Sequence, residues 1–373
     1  MRVGLLIYGS LDTLSGGYLY DRKLVQHLRD AGDEVEIISI PWRNYAAHLA
    51  DNFSASLLRH LLALRVDVLV QDELNHPSLF WLNQKLRVRV PSPFGRGRRV
   101  RADASYPIVS IVHHLRSSEL RPAWQNALYH IPEKAYLRSM DGFVFNSQTT
   151  RGVVENAIGE TRPHVVAYPA GNRLNPQISD EEIVARAQEE TFKIAFLGSV
   201  ISRKNLHTLL DALALVEEDW QLTIIGNLDV EPAYVAKIRQ QIARLGLDEK
   251  INFAGALNDE PLKAKLRENH VLAMPSSYEG FGIAYLEGMG YGLPAIASTD
   301  GAAHEIITSE VDGYLIHPSD VKNLASYLRT LARDRKKLIQ MNLAARKRYH
   351  AHPTWDESMA NIRKFLLKMI DVG

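Results

Sequence analysis

The segment 271–294, VLAMPSSYEGFGIAYLEGMGYGLP, constrains the fold more than any other stretch of the chain. Residues 271–274 form an apolar run long enough for a buried strand and too short for a helix. Pro275, Ser276 and Ser277 make a turn, and Glu279-Gly280-Phe281-Gly282 follows. Ile283, Leu286 and Met289 then fall at three-residue steps on one side of a helix. A strand that ends in a glycine-bearing turn and feeds a helix is how open α/β sheets present ligand sites at their carboxyl edge. Gly280 and Gly282 let backbone approach a ligand, and the amides that open the helix at Ile283 suit an anion. Glu279 stands at the mouth of such a site. Glu287 lies about a turn inside the helix beside its apolar face, where a carboxylate is seldom placed without a partner.

The same strand–turn–helix unit recurs in two series. Strands are predicted over 3–8, 35–40, 66–70, 107–115, 141–146 and 164–168, and again over 193–197, 221–225, 251–253, 271–274, 295–298 and 313–316. Helices are predicted over 18–31, 51–64, 206–216, 232–245, 261–269, 321–333 and 336–349, with a further one near 355–369 and a helix start at 301–307. Residues 9–17 read as a polar, glycine-bearing loop. Between the series, residues 169–190 read as a linker that ends in an acidic helix with a capping box at Ser179 and Glu182. Two such sets make an α/β protein of two doubly wound Rossmann-like domains facing across a cleft. The boundaries are drawn at 1–175, 176–354 and a tail helix at 355–373.

Composition narrows the function by exclusion. A chain of 373 residues suits two domains, and a net charge of +1 gives no global reason to expect nucleic acid. Cysteine is absent, so disulfides and thiolate metal sites are excluded. No apolar run approaches the roughly 18–20 residues of a membrane span, and the opening MRVGLLIYGS reads as a strand rather than a signal peptide. Residues 85–101 carry seven basic and no acidic residues among prolines and glycines. A solvated charge run is the default reading, and contact with an anionic membrane or acceptor is the alternative.

Two glutamates with seven residues between them around a Gly-aromatic-Gly turn, with Pro-Ser before and Gly-Leu-Pro after, resemble the Glu-x7-Glu signature of retaining glycosyltransferases of the GT-B fold, family 4. The Arg203-Lys204 pair, after Phe-Leu-Gly198-Ser and before Asn-Leu, is similar to the phosphate-binding Arg-Lys of that family. Two adjacent cations before a helix neutralise a diphosphate, Arg as a planar fork and Lys as a point charge. Ser15-Gly16-Gly17 departs from the Gly-x-Gly-x-x-Gly dinucleotide fingerprint and resembles the family's first glycine loop. His113 ends the 107–115 strand where the family has a His-Asp pair, and His114 stands in place of the aspartate.

The resemblance implies a nucleotide-diphosphate sugar as donor, a UDP-sugar in preference to a GDP-sugar, and a glycan or lipid acceptor on the side of the first domain. It implies that the tail helix returns to that domain. Glu279, with the backbone of Gly280, Phe281, Gly282 and Ile283, would lie against the donor sugar and phosphates. Glu287 would bind the ribose, and the turns at Asn227 and Leu257 the base. Gly16, Gly17 and Gly198 would line the donor, and His113 would orient a sugar hydroxyl or the transition-state charge. No Asp-x-Asp occurs, so no metal or other cofactor is expected and cations with helix amides must stabilise the leaving phosphate. The expected setting is cytoplasmic, with a peripheral contact at the inner face of the membrane as the alternative for 85–101. A nucleotide-sugar isomerase or phosphorylase on the same scaffold, or a silent sugar-nucleotide-binding module, are the competing readings. An NAD-dependent oxidoreductase is disfavoured by the missing fingerprint.

Overall fold

The computed structural model describes residues 1–13, 15–86, 106–119 and 121–372. The chain divides into two compact units, one of Met1–Tyr168 with Asp356–Gly373 and the other of Pro169–Trp355. Each is built on a six-stranded sheet in which every pairing between strands is parallel. Parallel strands are covered on both faces, so they read as continuous apolar runs rather than alternating ones. That is why the strands stand out in the sequence.

In the first unit the strands are β1 (Arg2–Tyr8), β2 (Glu34–Ile40), β3 (Val68–Asp72), β4 (Ile108–Val112), β5 (Gly142–Phe145) and β6 (His164–Val166), in the spatial order β2-β1-β3-β4-β5-β6. The order reverses between β1 and β3, which makes the carboxyl ends of those two strands the ligand-accepting crevice of the unit. Leu6, Leu69, Val112, Phe143 and Phe145 lead one buried cluster of this core.

The helix after β1 is Gly16–Asp30, capped by Ser15, whose hydroxyl accepts from the Tyr18 amide. Gly16 and Gly17 are therefore the first helical turn and not the end of a loop. The helix expected over 51–64 is shorter, Ala55–Ala63, and a separate helix, Tyr45–Asp51, ends where it was expected to begin. Ser54 caps the second by accepting from Leu57, while the Asn52 side-chain amide donates to the Leu49 and Pro77 carbonyls. These local bonds compete with the helical ladder and break it. A further helix, Ala123–Leu137, has no counterpart in the sequence reading, because Pro132 sits inside it.

The second unit runs β7 (Phe192–Leu197), β8 (Trp220–Ile225), β9 (Ile251–Gly255), β10 (Val271–Met274), β11 (Ala295–Ser298) and β12 (Gly313–Ile316) in the order β12-β11-β10-β7-β8-β9. Its reversal lies between β7 and β10. The helix Asp180–Ala187 before β7 opens with the full Ser179–Glu182 capping box. The expected helix start at 301–307 is instead a short 3-10 turn, Ala303–Glu305.

Among the described residues no helix is long and apolar enough to cross a membrane. The basic residues of 85–101 lie outside the described residues, save Lys85. Its ammonium donates to the Asn52 carbonyl at 3.0 Å and stands 4.5 Å from the centre of the Trp81 ring.

The tail helix, Trp355–Val372, belongs from Asp356 onward to the first unit. Ile362 and Leu366 are fully buried, Phe365 and Met369 close over Gly142 on β5, and Arg363 pairs with the buried Asp33 carboxylate at 2.7 Å. Truncating Leu366 opens a core cavity, so Leu366→Ala is expected to cost about 2–4 kcal/mol. Urea unfolding monitored on the first unit checks this, and a change below about 0.5 kcal/mol, the range of inert surface substitutions, would show that the helix is not part of that core.

Candidate active site

Glycine backbone sets the floor of the site in the second unit. Gly198, immediately after β7, has φ 150°, and a Cβ built there would stand 3.4 Å from Cε of Lys204. Without a side chain it leaves the lysine stem a path across the end of the strand. Gly226, after β8, has φ 154°, and a Cβ there would overlap the Gly198 carbonyl. The end of β8 can lie this close to the end of β7 because residue 226 is glycine.

Arg203 and Lys204 sit in the 3-10 turn Ser202–Lys204, and both reach the loop that follows β10. The Arg203 guanidinium donates to the Tyr278 carbonyl at 2.7 Å and lies 3.5 Å from Oε1 of Glu279. The Lys204 ammonium pairs directly with the same Oε1, which also accepts from the Ser276 hydroxyl at 2.9 Å. Glu279 is buried. Burial alone raises a carboxyl, but the charges of Lys204 and Arg203 and the hydrogen bonds from Lys204 and Ser276 outweigh it and hold Glu279 below its ordinary value. Burial acts on Lys204 too and lowers its ammonium, against the support of Glu279.

The loops after β7 and β10 are fastened to each other. The Ser277 amide donates to the Arg203 carbonyl at 2.8 Å, and the Asn205 side-chain amide donates to the Pro275 and Pro318 carbonyls at 2.9 and 2.7 Å. Asn205 adopts φ 58°, a left-handed conformation that asparagine tolerates better than most residues. Its role has no signal in the sequence beyond its place after Arg-Lys. Glu279 is pinned by Asp300 and Ala302 through its backbone, and Gly301 at φ 103° allows that approach. Phe281 is buried with its ring 5.7 Å from that of His352. Gly282 at φ 101° begins the Ile283–Gly290 helix, which opens without a side-chain cap. An uncapped helix start beside two cations suits an anion.

Glu287 is on the second turn of that helix and is buried. Its partner is Arg173, which donates to Oε1 at 2.9 Å and also binds Asp259. Burial, with Asp259 adding to it, raises the Glu287 carboxyl, and Arg173 offsets only part of this. Arg173 was not anticipated. It reaches Glu287 because Gly171 lets the linker lie directly on the helix, where a Cβ would overlap the Leu286 backbone. Asn227 lies in the loop after β8, where its carbonyl accepts from Val200 and its side chain from the Asp229 amide. Leu257 is half-buried just beyond β9.

His113, Gly16 and Gly17 belong to the first unit. His113 follows β4, its amide donates to Glu73 at 3.0 Å and its carbonyl accepts from Asn146 at 2.8 Å. Its ring meets the edge of Tyr20 at 5.2 Å, with Nε2 3.8 Å from Oδ1 of Asp21. A Cβ on Gly17 would lie 3.3 Å from the ring. Burial disfavours the imidazolium, yet the carboxylates of Asp21, Glu73 and Asp72 raise His113 well above its ordinary value. His114 points to Glu119 instead, at 3.2 Å. The buried carboxylates Asp21, Asp72 and Glu73 were not singled out: β3 was expected to stop at Val70, and Asp21 read as one polar residue of the helix after β1. Among the described residues, Asp21, Asp72 and His113 are the group whose donors converge closely enough to hold a metal ion. They lie in the first unit, whereas Arg203 and Lys204 lie in the second.

Two doubly wound units, with paired cations and a buried glutamate at the strand-order reversal of the second, give the chain the GT-B fold. Residues 178–348 match the family described as glycosyl transferases group 1. An uncharacterized glycosyltransferase of Methanocaldococcus jannaschii is 32% identical over 140 residues, 37% of this chain, and the chain spans only about a third of that relative, 35%. The phosphatidyl-myo-inositol mannosyltransferase of Mycobacterium leprae is 27% identical over 94% of this chain and 93% of its own length. The crystal structure of Anabaena HepE with UDP and glucose superposes with a TM-score of 0.77 at 19% identity, covering 99% of this chain and all (100%) of that one.

Lys204→Met strips Glu279 of its closest cation. Because breaking a buried pair leaves an uncompensated charge, the substitution is expected to cost about 3 kcal/mol, and adding Glu279→Gln should recover part of it. Urea titrations of the single and double variants check this. Equal losses in both would show that Lys204 does not carry the ionised Glu279.

Proposed function

We propose that the chain transfers a hexose from a nucleotide-diphosphate sugar to a hydroxyl of a glycan or lipid acceptor, with retention of anomeric configuration and without a metal on the diphosphate. The observation that carries this reading is the Arg203–Lys204–Glu279 cluster beside the uncapped helix start at Ile283. It is a cationic, partly buried and prearranged place for a doubly negative phosphate. As the bond from the anomeric carbon to the leaving phosphate oxygen breaks, negative charge develops on the phosphate. Fixed cations and amides already in place stabilise it without reorganisation. The acceptor oxygen bonds to the anomeric carbon on the face that the phosphate leaves, and its proton passes to the departing phosphate oxygen.

In this reading Glu279 is not a covalent nucleophile. Its Oε1 is engaged by Lys204 and Ser276, which suits an anchor for the two cations and the sugar. Glu287, held by Arg173, serves the ribose hydroxyls, and Asn227 and Leu257 flank the base. The donor we adopt is a UDP-sugar, the nucleotide that HepE holds. The mannosyltransferase relative makes a phosphatidyl-inositol-type lipid a natural first acceptor to test. Donors of this class make the cytoplasm the working compartment. His113 is assigned to the transfer step.

Arg203→Ala is expected to lower turnover by at least about 10²-fold, as for loss of a donor in an oxyanion-type site. Glu287→Ala should mainly raise the donor KM, because ribose contacts are the same in ground and transition states. Initial rates with UDP- and GDP-sugars and NMR of the product anomer check both. Unchanged turnover in Arg203→Ala would remove the diphosphate assignment, and an inverted product would remove retention. Nucleotide binding with no transfer to any acceptor would favour the silent binding module.

A further inference from the structure

We propose that the first unit docks on an anionic lipid bilayer through the outer face of the helix Ala123–Leu137. The inner side of this helix is ordinary, with Pro132, Glu133, Tyr136 and Leu137 buried. The outer side inverts the usual pattern. The exposed residues of the helix are Ala123, Trp124, Ala127, Leu128 and Ile131, and every one of them is apolar. Trp124, Leu128 and Ile131 keep 64%, 60% and 69% of their surface in water, at the four- and three-residue steps that align side chains in one stripe. Exposed apolar side chains scattered singly need no explanation, but a contiguous stripe marks an interaction surface.

The stripe belongs to a wider apolar layer. The connections from β2 to β3, β3 to β4 and β4 to β5 all advance in one direction across the sheet, and right-handed crossovers therefore put their helices on one face. The Tyr45 and Tyr129 rings, 4.8 Å apart, join the first of these connections to the last. Among the described residues eleven large apolar side chains are exposed, and six of them, Phe53, Leu62, Trp81, Trp124, Leu128 and Ile131, lie in this one layer. The Lys85 ammonium stands over the Trp81 ring, as a lysine does where its stem covers apolar surface and its head seeks a polar boundary.

Charge decides what covers it. The segments 44–65, 76–86 and 116–138, which build the layer, carry seven Lys and Arg residues against three carboxylates, in a chain whose net charge is only +1. All three carboxylates are already engaged. Asp51 is buried and binds Ser78 and Arg43, Glu119 pairs with Arg121 and His114, and Glu133 is buried where it accepts from the Ser117 amide. Lys134 and Arg138 stand at the carboxyl end of the stripe. A second copy of the chain would set two cationic faces against each other. An anionic bilayer instead takes the apolar stripe at the acyl boundary and the cations at its headgroups, and tryptophan suits that depth. The docking surface is separate from the diphosphate site and does not depend on the transfer chemistry.

The test is co-sedimentation of the full chain with phosphatidylcholine vesicles that contain or lack phosphatidylglycerol. Binding is expected on the anionic vesicles alone and should weaken with added salt. Leu128→Ser combined with Ile131→Ser should weaken it by about 100-fold, as for two apolar side chains returned to water. Lys134→Gln combined with Arg138→Gln should weaken it by about 30-fold. Trp124→Phe keeps an apolar side chain and should still bind, while quenching of tryptophan emission by brominated acyl chains should fall. An unchanged urea midpoint reports that each variant remains folded. No binding by the wild type would overturn the surface, as would equal binding on neutral vesicles, binding that the Leu128→Ser/Ile131→Ser variant retains, or quenching that Trp124→Phe leaves unchanged. Self-association without lipid that the same double variant abolishes would assign the stripe to a second copy and overturn the bilayer.

Discussion

The second unit is organised around a carboxylate that burial would neutralise and two cations keep ionised. Glu279 lies at the end of β10, Lys204 and Arg203 lie after β7, and the strand order reverses between those strands. A sheet of this kind leaves its crevice there because successive crossovers diverge from that point. The pair therefore holds two loops together at the place where a ligand enters. Ser277 and Asn205 make the same connection through the backbone. These bonds join the two loops without any ligand, an arrangement that suits electrostatic stabilisation of a developing charge.

The first unit uses the same geometry with the opposite sign. Its reversal, between β1 and β3, gathers Asp21, Asp72 and Glu73 around His113. Cations face the crevice in one unit and carboxylates in the other.

How much was legible in the sequence follows from burial. The inner strands, such as Val271–Met274 and Ala295–Ser298, are buried throughout and showed as runs ended by proline or a polar residue, while the edge strand Glu34–Ile40 exposes Glu34 and Glu36. The segments that hid are those where a polar residue is structural. Asn52 and Ser54 separate the Tyr45–Asp51 helix from Ala55–Ala63, and Pro132 sits within another. The residues of the second site could be named because their motif is contiguous, from Glu279 to Glu287, with Arg203-Lys204 beside a strand end. Arg173 and Asn205 act over long sequence separations, and nothing in their neighbours marks them. Asp72 was missed for a simpler reason. The apolar run stops at Val70, while the strand continues through Gln71 and Asp72 into a buried polar cluster.

The central claim is that side chains and a helix start, without a metal, hold the diphosphate in the second unit. Calorimetric titration of UDP into the chelator-treated protein tests it most directly. Binding should persist in chelator and weaken with added salt, since its source is the charge of Arg203 and Lys204. Binding that appears only when Mg²⁺ or Mn²⁺ is restored would contradict it.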